Sequence, residues 1–360
     1  MSRSPRLVLH LLLSGVALLA ALAVLEVGFR LVRDGVLDNP RRLVDAREFL
    51  LGHRVALYQP WAFTNFRLGE VDTHLRADGF MSTVDLQKRH DGARVRIAFI
   101  GGSTTFGFFY TDSFPYFVER LLRQRGIVAE AMNCGVPAWT SAENLVHYAL
   151  SIQDYTPDWI VIHQGANDVR PRLYPDFRSD YGHLRRPFSL PAPGRLTRAL
   201  AAHSDLYVWL LMRLRLMPTD IEELADEPLP PPERWRLTSD SLEVFRRNTI
   251  SLIRLAEAGG ARVLLTTESH NRRPRRGEEV RTWERTGMDE ENEVVRNVAR
   301  SIQLPLADTE RVLDYHGPLF KDYVHVIHEG DVLKARVVVK ALMRAGLRRA
   351  HSSSGAVTMR

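Results

Sequence analysis

From Val95 onward, short apolar runs alternate with segments of helical periodicity, and this alternation limits the fold more than any other feature of the chain. Val95-Arg96-Ile97-Ala98-Phe99-Ile100 closes on Gly101-Gly102, as a strand buried on both faces does before a turn. Further strands are predicted at 128–132, 159–163, 262–267 and 305–308. Helical spacing covers 114–125, 142–153, 245–258, 289–301 and 331–345, and Gly259-Gly260 stops the third of these. Strands joined by helices pair in parallel, because the crossover returns the chain to the same end of the sheet. The expectation is an α/β domain over 95–349 with its sheet covered on both faces.

One stretch breaks the rhythm. Residues 171–236 are rich in proline, with Pro228 and Pro230-Pro231-Pro232 clustered, and hold an apolar helical segment at 199–216. They read as an insertion between the third and fourth strands, a candidate lid. The apolar part, Tyr207-Val208-Trp209-Leu210-Leu211, either faces lipid or packs onto the domain. Residues 30–94, punctuated by Asn39-Pro40, Gln59-Pro60 and Gly79, read as a connector with little regular structure beyond an added edge element. Residues 350–360 read as a disordered tail.

The N-terminus is short and basic, with Arg3 and Arg6, and residues 7–25 are apolar apart from His10 and Ser14. About twenty such residues span a bilayer as a helix. Segment 1–29 is therefore expected to be a single transmembrane anchor, with its basic end cytoplasmic and the rest of the chain outside. Arg30 and Arg33, just past the run, weaken that orientation. Two other readings stay open: a cleaved signal peptide, since Ala21-Leu22-Ala23 resembles a cleavage site, and a buried core helix.

The 360 residues carry a formal net charge of +6, which raises the question of nucleic acid. The basic residues are spread along the chain, almost all arginine, and no helix-turn-helix, zinc-finger or RNP pattern accompanies them, so no nucleic-acid partner is expected. A single cysteine, Cys134, excludes an intramolecular disulfide and a cysteine metal cluster.

In an open parallel sheet, reactive groups gather beyond the carboxyl ends of the strands. There the sequence places Gly101-Gly102-Ser103-Thr104, then Asn133-Cys134-Gly135, then Gly165-Ala166-Asn167-Asp168. Asp322-Tyr323-Val324-His325 comes shortly before the last helix, with Gly330 beyond it. A serine hydroxyl is a weak nucleophile until a base removes its proton, and histidine suits that task near neutral pH. The base needs an acid to fix its tautomer. Asp322, three residues before His325, can reach the ring Nδ1. A tetrahedral oxyanion needs donors, and the N–H groups of Ser103 and Gly135 with the amide of Asn167 are candidates. Singly, each piece reads as a tight turn, a helix cap or a structural histidine. Their occurrence in this order at strand ends is what points to chemistry.

These blocks resemble the SGNH, or GDSL-type, hydrolases. Gly101-Gly102-Ser103-Thr104 is similar to their first block, Gly135 to the second, Gly165-Ala166-Asn167-Asp168 to the third (G-x-N-D) and Asp322-Tyr323-Val324-His325 to the last (D-x-V-H). Gly102 stands where the pattern has aspartate, and Thr104 where it has leucine. The resemblance implies a flavodoxin-like three-layer α/β/α sandwich with a five-stranded parallel sheet. It implies Ser103 as nucleophile, His325 as base, Asp322 as its partner, and Ser103, Gly135 and Asn167 as the oxyanion hole. No metal or organic cofactor is implied. The α/β-hydrolase elbow, the phosphate loop and the dinucleotide fingerprint are absent.

Around this set the sequence offers alternatives. Phe106, Phe108, Phe109 and Tyr110 either line an acyl pocket or pack the first helix. Arg272, Arg273, Arg275 and Arg276, after the fourth strand, either hold an anionic substrate or form a solvated loop. His328 competes with His325 as base, and spacing favours His325. The expected activity is hydrolysis of carboxylic esters, acyl or acetyl groups on lipid or envelope polysaccharide, by a membrane-held enzyme. The alternatives are an O-acyltransferase to a sugar hydroxyl using the same residues, and an inactive carbohydrate- or partner-binding module.

Overall fold

The structure, a computed structural model, describes residues 5–36, 43, 46–47, 50–51, 55–57, 65–67, 80–84, 86–88, 94–107, 110–184, 194–214, 216, 230–272, 282–314 and 316–348. The chain divides into two compact units. One comprises 1–56, 67–70 and 188–225, the other 57–66, 71–187 and 226–360.

The larger unit is built on five parallel strands: β1 (Val95–Gly101), β2 (Ala129–Asn133), β3 (Trp159–His163), β4 (Arg262–Thr266) and β5 (Leu306–Ala307). Their order is β2-β1-β3-β4-β5. Every residue of β1 is buried, which explains why its sequence runs apolar instead of alternating. Ile97 and Phe99 face one core with Val161 and Leu264. Ala98 and Ile100 face the other with Ile160, Ile162 and Val263.

Short helix α1 (Ser103–Phe106) follows β1, and longer helices cover both faces. On one lie α2 (Phe114–Gln124) and α6 (His328–Arg344), contributing Phe117, Val118, Leu122, Val338 and Leu342. On the other lie α3 (Ser141–Leu150), α4 (Ser239–Ala258) and α5 (Thr282–Ser301), contributing Tyr148, Phe245, Leu252, Val295 and Val298. This is the three-layer α/β/α sandwich that the sequence implied. Arg96 is the exception inside β1. Its guanidinium is buried but answered by Glu130 Oε2 at 2.9 Å and by the carbonyls of Gln87 and Tyr155 at 2.7 and 2.6 Å. Among the described residues of 30–94, Met81 adds an antiparallel bridge to Asn133.

Helices α4 and α5 begin earlier than their apolar periodicity predicts, because their first turns are polar. Thr238 and Ser241 form a reciprocal capping box that starts α4. The chain crosses from β1 to β2 on one side and continues to β3 on the other. The crevice between the carboxyl ends of β1 and β3 is therefore the topological switch point.

The smaller unit contains the N-terminal helix, Pro5–Val36, and two short helices, Arg195–His203 and Asp205–Arg213. The apolar segment predicted as one helix breaks at Ser204, whose Oγ accepts from Tyr207 N at 2.9 Å and caps the second piece. Tyr207, Trp209 and Leu211 pack within this unit against a small core of Phe29, Leu43, Ala46, Leu50, Ala201 and Val208.

Candidate active site

β1 ends in Gly101, where a Cβ would stand 2.0 Å from the His163 carbonyl oxygen and 2.2 Å from Thr105 Oγ1. Only glycine lets the chain leave the sheet so close to β3. The next residues turn at once into α1, with Thr105 N and Phe106 N donating to the Gly102 carbonyl at 3.1 and 3.0 Å. Ser103 occupies the first helical position, where a backbone N–H has no acceptor in its own helix. The hydroxyl and the N–H of Ser103 thus sit together at the mouth of the switch point.

The histidine arrives from the loop before α6. Asp322 Oδ1 accepts from the backbone N–H groups of Val324 and His325, both at 2.8 Å, and this folds the loop on itself. Asp322 Oδ2 accepts from His325 Nδ1 at 2.7 Å. His325 Nε2 lies 2.8 Å from Ser103 Oγ. Burial alone would raise the Asp322 carboxyl, but the imidazole of His325 and the two backbone donors outweigh it and hold it at about 2. The loop is fastened by Lys321 N to His325 O and Ile327 N to Leu319 O, each 2.8 Å, and by Asn271 N to Tyr323 O at 2.7 Å. A Cβ on Gly330 would meet Val326 Cβ at 2.5 Å, so glycine there allows the first turn of α6 to seat beneath the loop. His328 points elsewhere, with Nδ1 2.7 Å from Asp112 Oδ1.

The third block follows β3. Gly165 adopts φ +141°, a conformation that favours glycine, and carries the chain into Asn167 and Asp168. Asp168 is buried and accepts from Ser141 N with both oxygens at 3.0 Å, and from Ser141 Oγ, so the loop is pinned to the N-terminus of α3. Burial, only partly offset by these bonds, raises its carboxyl to about 7. Asn167 Nδ2 donates to the Trp139 carbonyl at 2.9 Å, which fixes the amide and leaves its second hydrogen for another acceptor. A Cβ on Gly102 would stand 2.5 Å from that nitrogen. The glycine that replaces the pattern's aspartate therefore makes room for the Asn167 amide beside Ser103.

Gly135 does not present its N–H as expected. That group donates to Asn133 Oδ1 at 3.0 Å, while Asn133 Nδ2 donates to the Thr105 and Phe106 carbonyls, both at 3.0 Å. The Asn133 side chain turns back to close α1, and the N–H of Gly135 is drawn into the same clamp. Close contact demands glycine here: a Cβ would stand 2.5 Å from Phe106 N and 2.8 Å from Thr105 Cβ. Beyond it, Val136-Pro137-Ala138-Trp139 makes a tight turn in which Trp139 N bonds Val136 O at 3.2 Å. Ala138 has φ +64°, as the third position of a type II turn requires.

Beneath the serine lies a polar group that the sequence reading missed. Thr104 Oγ1 donates to Glu268 Oε1 at 2.9 Å. Glu268 Oε2 stands 3.2 Å from His163 Nε2, and Lys334 Nζ stands 3.4 Å from the same nitrogen and 3.5 Å from the Thr104 carbonyl. All three ionisable side chains are buried. Thr266 Oγ1 spends its hydrogen on Ile162 O, so His163 must donate to it from Nδ1 at 2.6 Å. Desolvation pushes His163 down despite Glu268. Glu268 would be raised by burial, but His163, Lys334 and Thr104 bring it to about 2. No sequence pattern announces these residues. Each sits in a strand, loop or helix of unrelated spacing, and only the fold joins them.

Arg272 is likewise not placed as a free substrate cation. It bonds Asp314 Oδ2 at 2.8 Å and Asp289 Oδ1 and Glu310 Oε1 at 2.5 Å each, because three acidic residues from two other segments converge on it. His270, Asp289 and Glu310 bring possible metal-ligand atoms within 4.8 Å of one another, but the guanidinium of Arg272 already neutralises that cluster. Arg273, Arg275 and Arg276, like Phe108 and Phe109, lie outside the described residues.

Residues 99–331 match the family model described as the GDSL-like lipase/acylhydrolase family. Among solved structures, the chain is similar to a GDSL-like lipase from Bacteroides thetaiotaomicron at 16% identity, covering 72% of this chain and 93% of that one, with a TM-score of 0.44. It is similar to the lipase/acylhydrolase from Enterococcus faecalis at 17% identity, over 70% and 96%, TM-score 0.43. An acetylxylan esterase from Geobacillus stearothermophilus aligns at 18% identity, over 72% and 99%, TM-score 0.43. A search of curated proteins finds no match. The family match spans the blocks at Ser103, Asn167 and His325, and the chain belongs to the GDSL-like lipase/acylhydrolase family of serine ester hydrolases.

Proposed function

We propose that the protein is a membrane-anchored esterase that cleaves carboxylic esters through an acyl-enzyme on Ser103. The reading rests on one observation above the rest, the continuous hydrogen-bonded chain from Ser103 Oγ through both nitrogens of His325 to Asp322. His325 Nε2 takes the hydroxyl proton as Ser103 Oγ bonds to the ester carbonyl carbon. Asp322 stabilises the imidazolium. The carbonyl oxygen becomes an oxyanion, received by the Ser103 N–H and the Asn167 amide. His325 then gives its proton to the departing alkoxide, which leaves as the alcohol. Water, deprotonated by His325, attacks the acyl carbon, and the acid departs as Ser103 recovers its proton. Each oxyanion donor is worth about 3–4 kcal/mol of barrier in such sites.

The Pro5–Val36 helix supports the membrane assignment, because Leu12–Arg33 is long and apolar enough to cross a bilayer. With the anchor fixed, substrates within reach are acyl or acetyl esters of lipids or of envelope polysaccharide. A fluorophosphonate probe followed by peptide mass spectrometry tests the assignment. One adduct per chain, on the peptide holding Ser103 and missing in Ser103→Ala, is expected. Labelling elsewhere, or none on active protein, contradicts it.

A further inference from the structure

We propose that the helix pair 195–213 lies in the headgroup region of the bilayer, strapped to the N-terminal helix where that helix leaves the membrane. The proposal rests on the reading of Pro5–Val36 as an anchor and adds a second membrane contact, made by a stretch that the sequence suggested as a lid.

The strap is built from the residues that follow the apolar run. Glu26 is the first charged side chain after 7–25. It accepts from Ser204 Oγ at 2.7 Å, Asp205 N at 2.8 Å and Leu206 N at 3.1 Å, and so caps the helix Asp205–Arg213. Arg30, one turn further, donates to the carbonyl of His203 at 2.9 Å, where the helix Arg195–His203 ends. An acidic group at a helix N-terminus and a basic group at a C-terminus both complement the helix dipole. Arg33 donates to the buried Asp205 carboxylate at 2.5 Å, and Arg47 also bridges to it. Phe29 meets Trp209 at 5.3 Å between ring centres. Both short helices are thereby held at one level of the long helix, residues 26–33.

That level is set by the chain itself. Nineteen helical residues, 7–25, rise about 28 Å, close to the hydrocarbon thickness of a bilayer. With this run in the membrane, Glu26 falls at the boundary, and the charged Glu26, Arg30 and Arg33 place the end of the longer Leu12–Arg33 stretch in the headgroup layer. The two short helices, about 13 Å each, cannot cross; a helix pair at this depth lies in the interface plane.

Their outward faces are made for it. Val208 and Ala201 are buried, yet Leu196 is 73% exposed, Leu214 62% and Leu216 69%, with Leu200 and Leu210 also exposed. Arg195, Arg198 and Arg213 lie among these leucines on exposed positions. Leucines flanked by arginines, whose stems lie along apolar surface while the heads reach phosphate, suit an anionic lipid surface. Leu22, Val24 and Leu25, just before Glu26 on the anchor, are exposed in the same unit. Attachment to a helix whose own exposed residues are apolar favours lipid over a protein partner.

The native cysteine, Cys134, is buried, so introduced cysteines take label selectively. Full-length Leu214→Cys and Val16→Cys, each carrying the fluorophore NBD, would be reconstituted into phosphatidylcholine–phosphatidylglycerol vesicles. Quenching is then measured with lipids brominated near the headgroup end of the chains for position 214 and near the chain ends for position 16. The proposal expects a blue-shifted NBD at position 214, quenched at least twofold by the brominated lipid, with position 16 also quenched. Quenching at 16 with water-like, unquenched emission at 214 overturns the strap–interface proposal and leaves the anchor standing. Blue-shifted emission at 214 that bromine does not quench assigns the face to protein and overturns it as well. No quenching at either position overturns the anchor reading and the proposal together.

Discussion

Thr104 Oγ1 donates to Glu268 Oε1 at 2.9 Å and so ties the Ser103 turn to the loop that follows β4. Glu268 in turn faces His163 and Lys334, and Lys334 lies on the helix that begins just after the His325 loop. The two halves of the Ser103–His325 pair are therefore braced against the same buried charges.

Glu268→Gln keeps the shape of this brace and removes the charge that faces His163 and Lys334. Removing one partner of a buried pair costs about 3–5 kcal/mol. The sign with pH follows from a folded-state value of about 2, below the ordinary 4.5. The carboxylate's contribution is full above the unfolded value and is lost as pH falls through the folded one. Urea denaturation should show the largest deficit in the variant above pH 5, shrinking steadily toward pH 2.5. A deficit independent of pH would mean that the charge is not what stabilises the brace.

Asp331 behaves in the opposite sense. Burial raises its carboxyl to about 7, against the pull of Lys334 and Lys321. Because the folded value lies above the unfolded 3.8, the folded protein binds the extra proton. Stability from this site is full below pH 4 and is lost as pH rises through 7. Asp331→Asn should therefore match the parent at pH 4 and gain on it progressively toward pH 7.5. Melting temperatures across that range check it, and a constant difference would contradict it.

Gly102→Ala tests the fit between the Ser103 turn and the Asn167 amide proposed as an oxyanion donor. The added methyl would lie 2.5 Å from Asn167 Nδ2, so the amide must move. A displaced or missing donor of this kind lowers kcat on the order of 10²–10³-fold. The same loss, with KM little changed, is expected of Asn167→Ala. If Gly102→Ala retains parental kcat, Asn167 does not act from the position seen here.

Gly135→Ala separates two roles. Alanine keeps the N–H, so a pure oxyanion donor would tolerate it. The Cβ instead meets the backbone of Phe106 at 2.5 Å, and overpacking against backbone costs about 1–3 kcal/mol. A drop in urea midpoint is expected, and unchanged stability would reinstate Gly135 as a donor alone.

Much of this arrangement is legible in the residues themselves. The apolar run 95–100 and the glycines after it give away β1, because full burial on both faces leaves no polar alternation. Asp322 and His325 are legible because one turn of chain brings them together without help from the rest of the fold. Gly135 is less legible for a related reason: sequence shows that a glycine is needed but not whether space or an exposed N–H demands it. Arg272 looks like a free cation until Asp289, Glu310 and Asp314 arrive from segments 17 to 42 residues away. The Glu268–His163–Lys334 group is invisible for the same cause. Its members meet across β3, the loop after β4 and α6, and no local rule links them.

The most direct test of the central claim is the rate of p-nitrophenyl acetate and butyrate hydrolysis by full-length protein and by Ser103→Ala, with circular dichroism showing both folded alike. The substitution should leave at most about 10⁻³ of the parental kcat. Equal rates in the two proteins would contradict it.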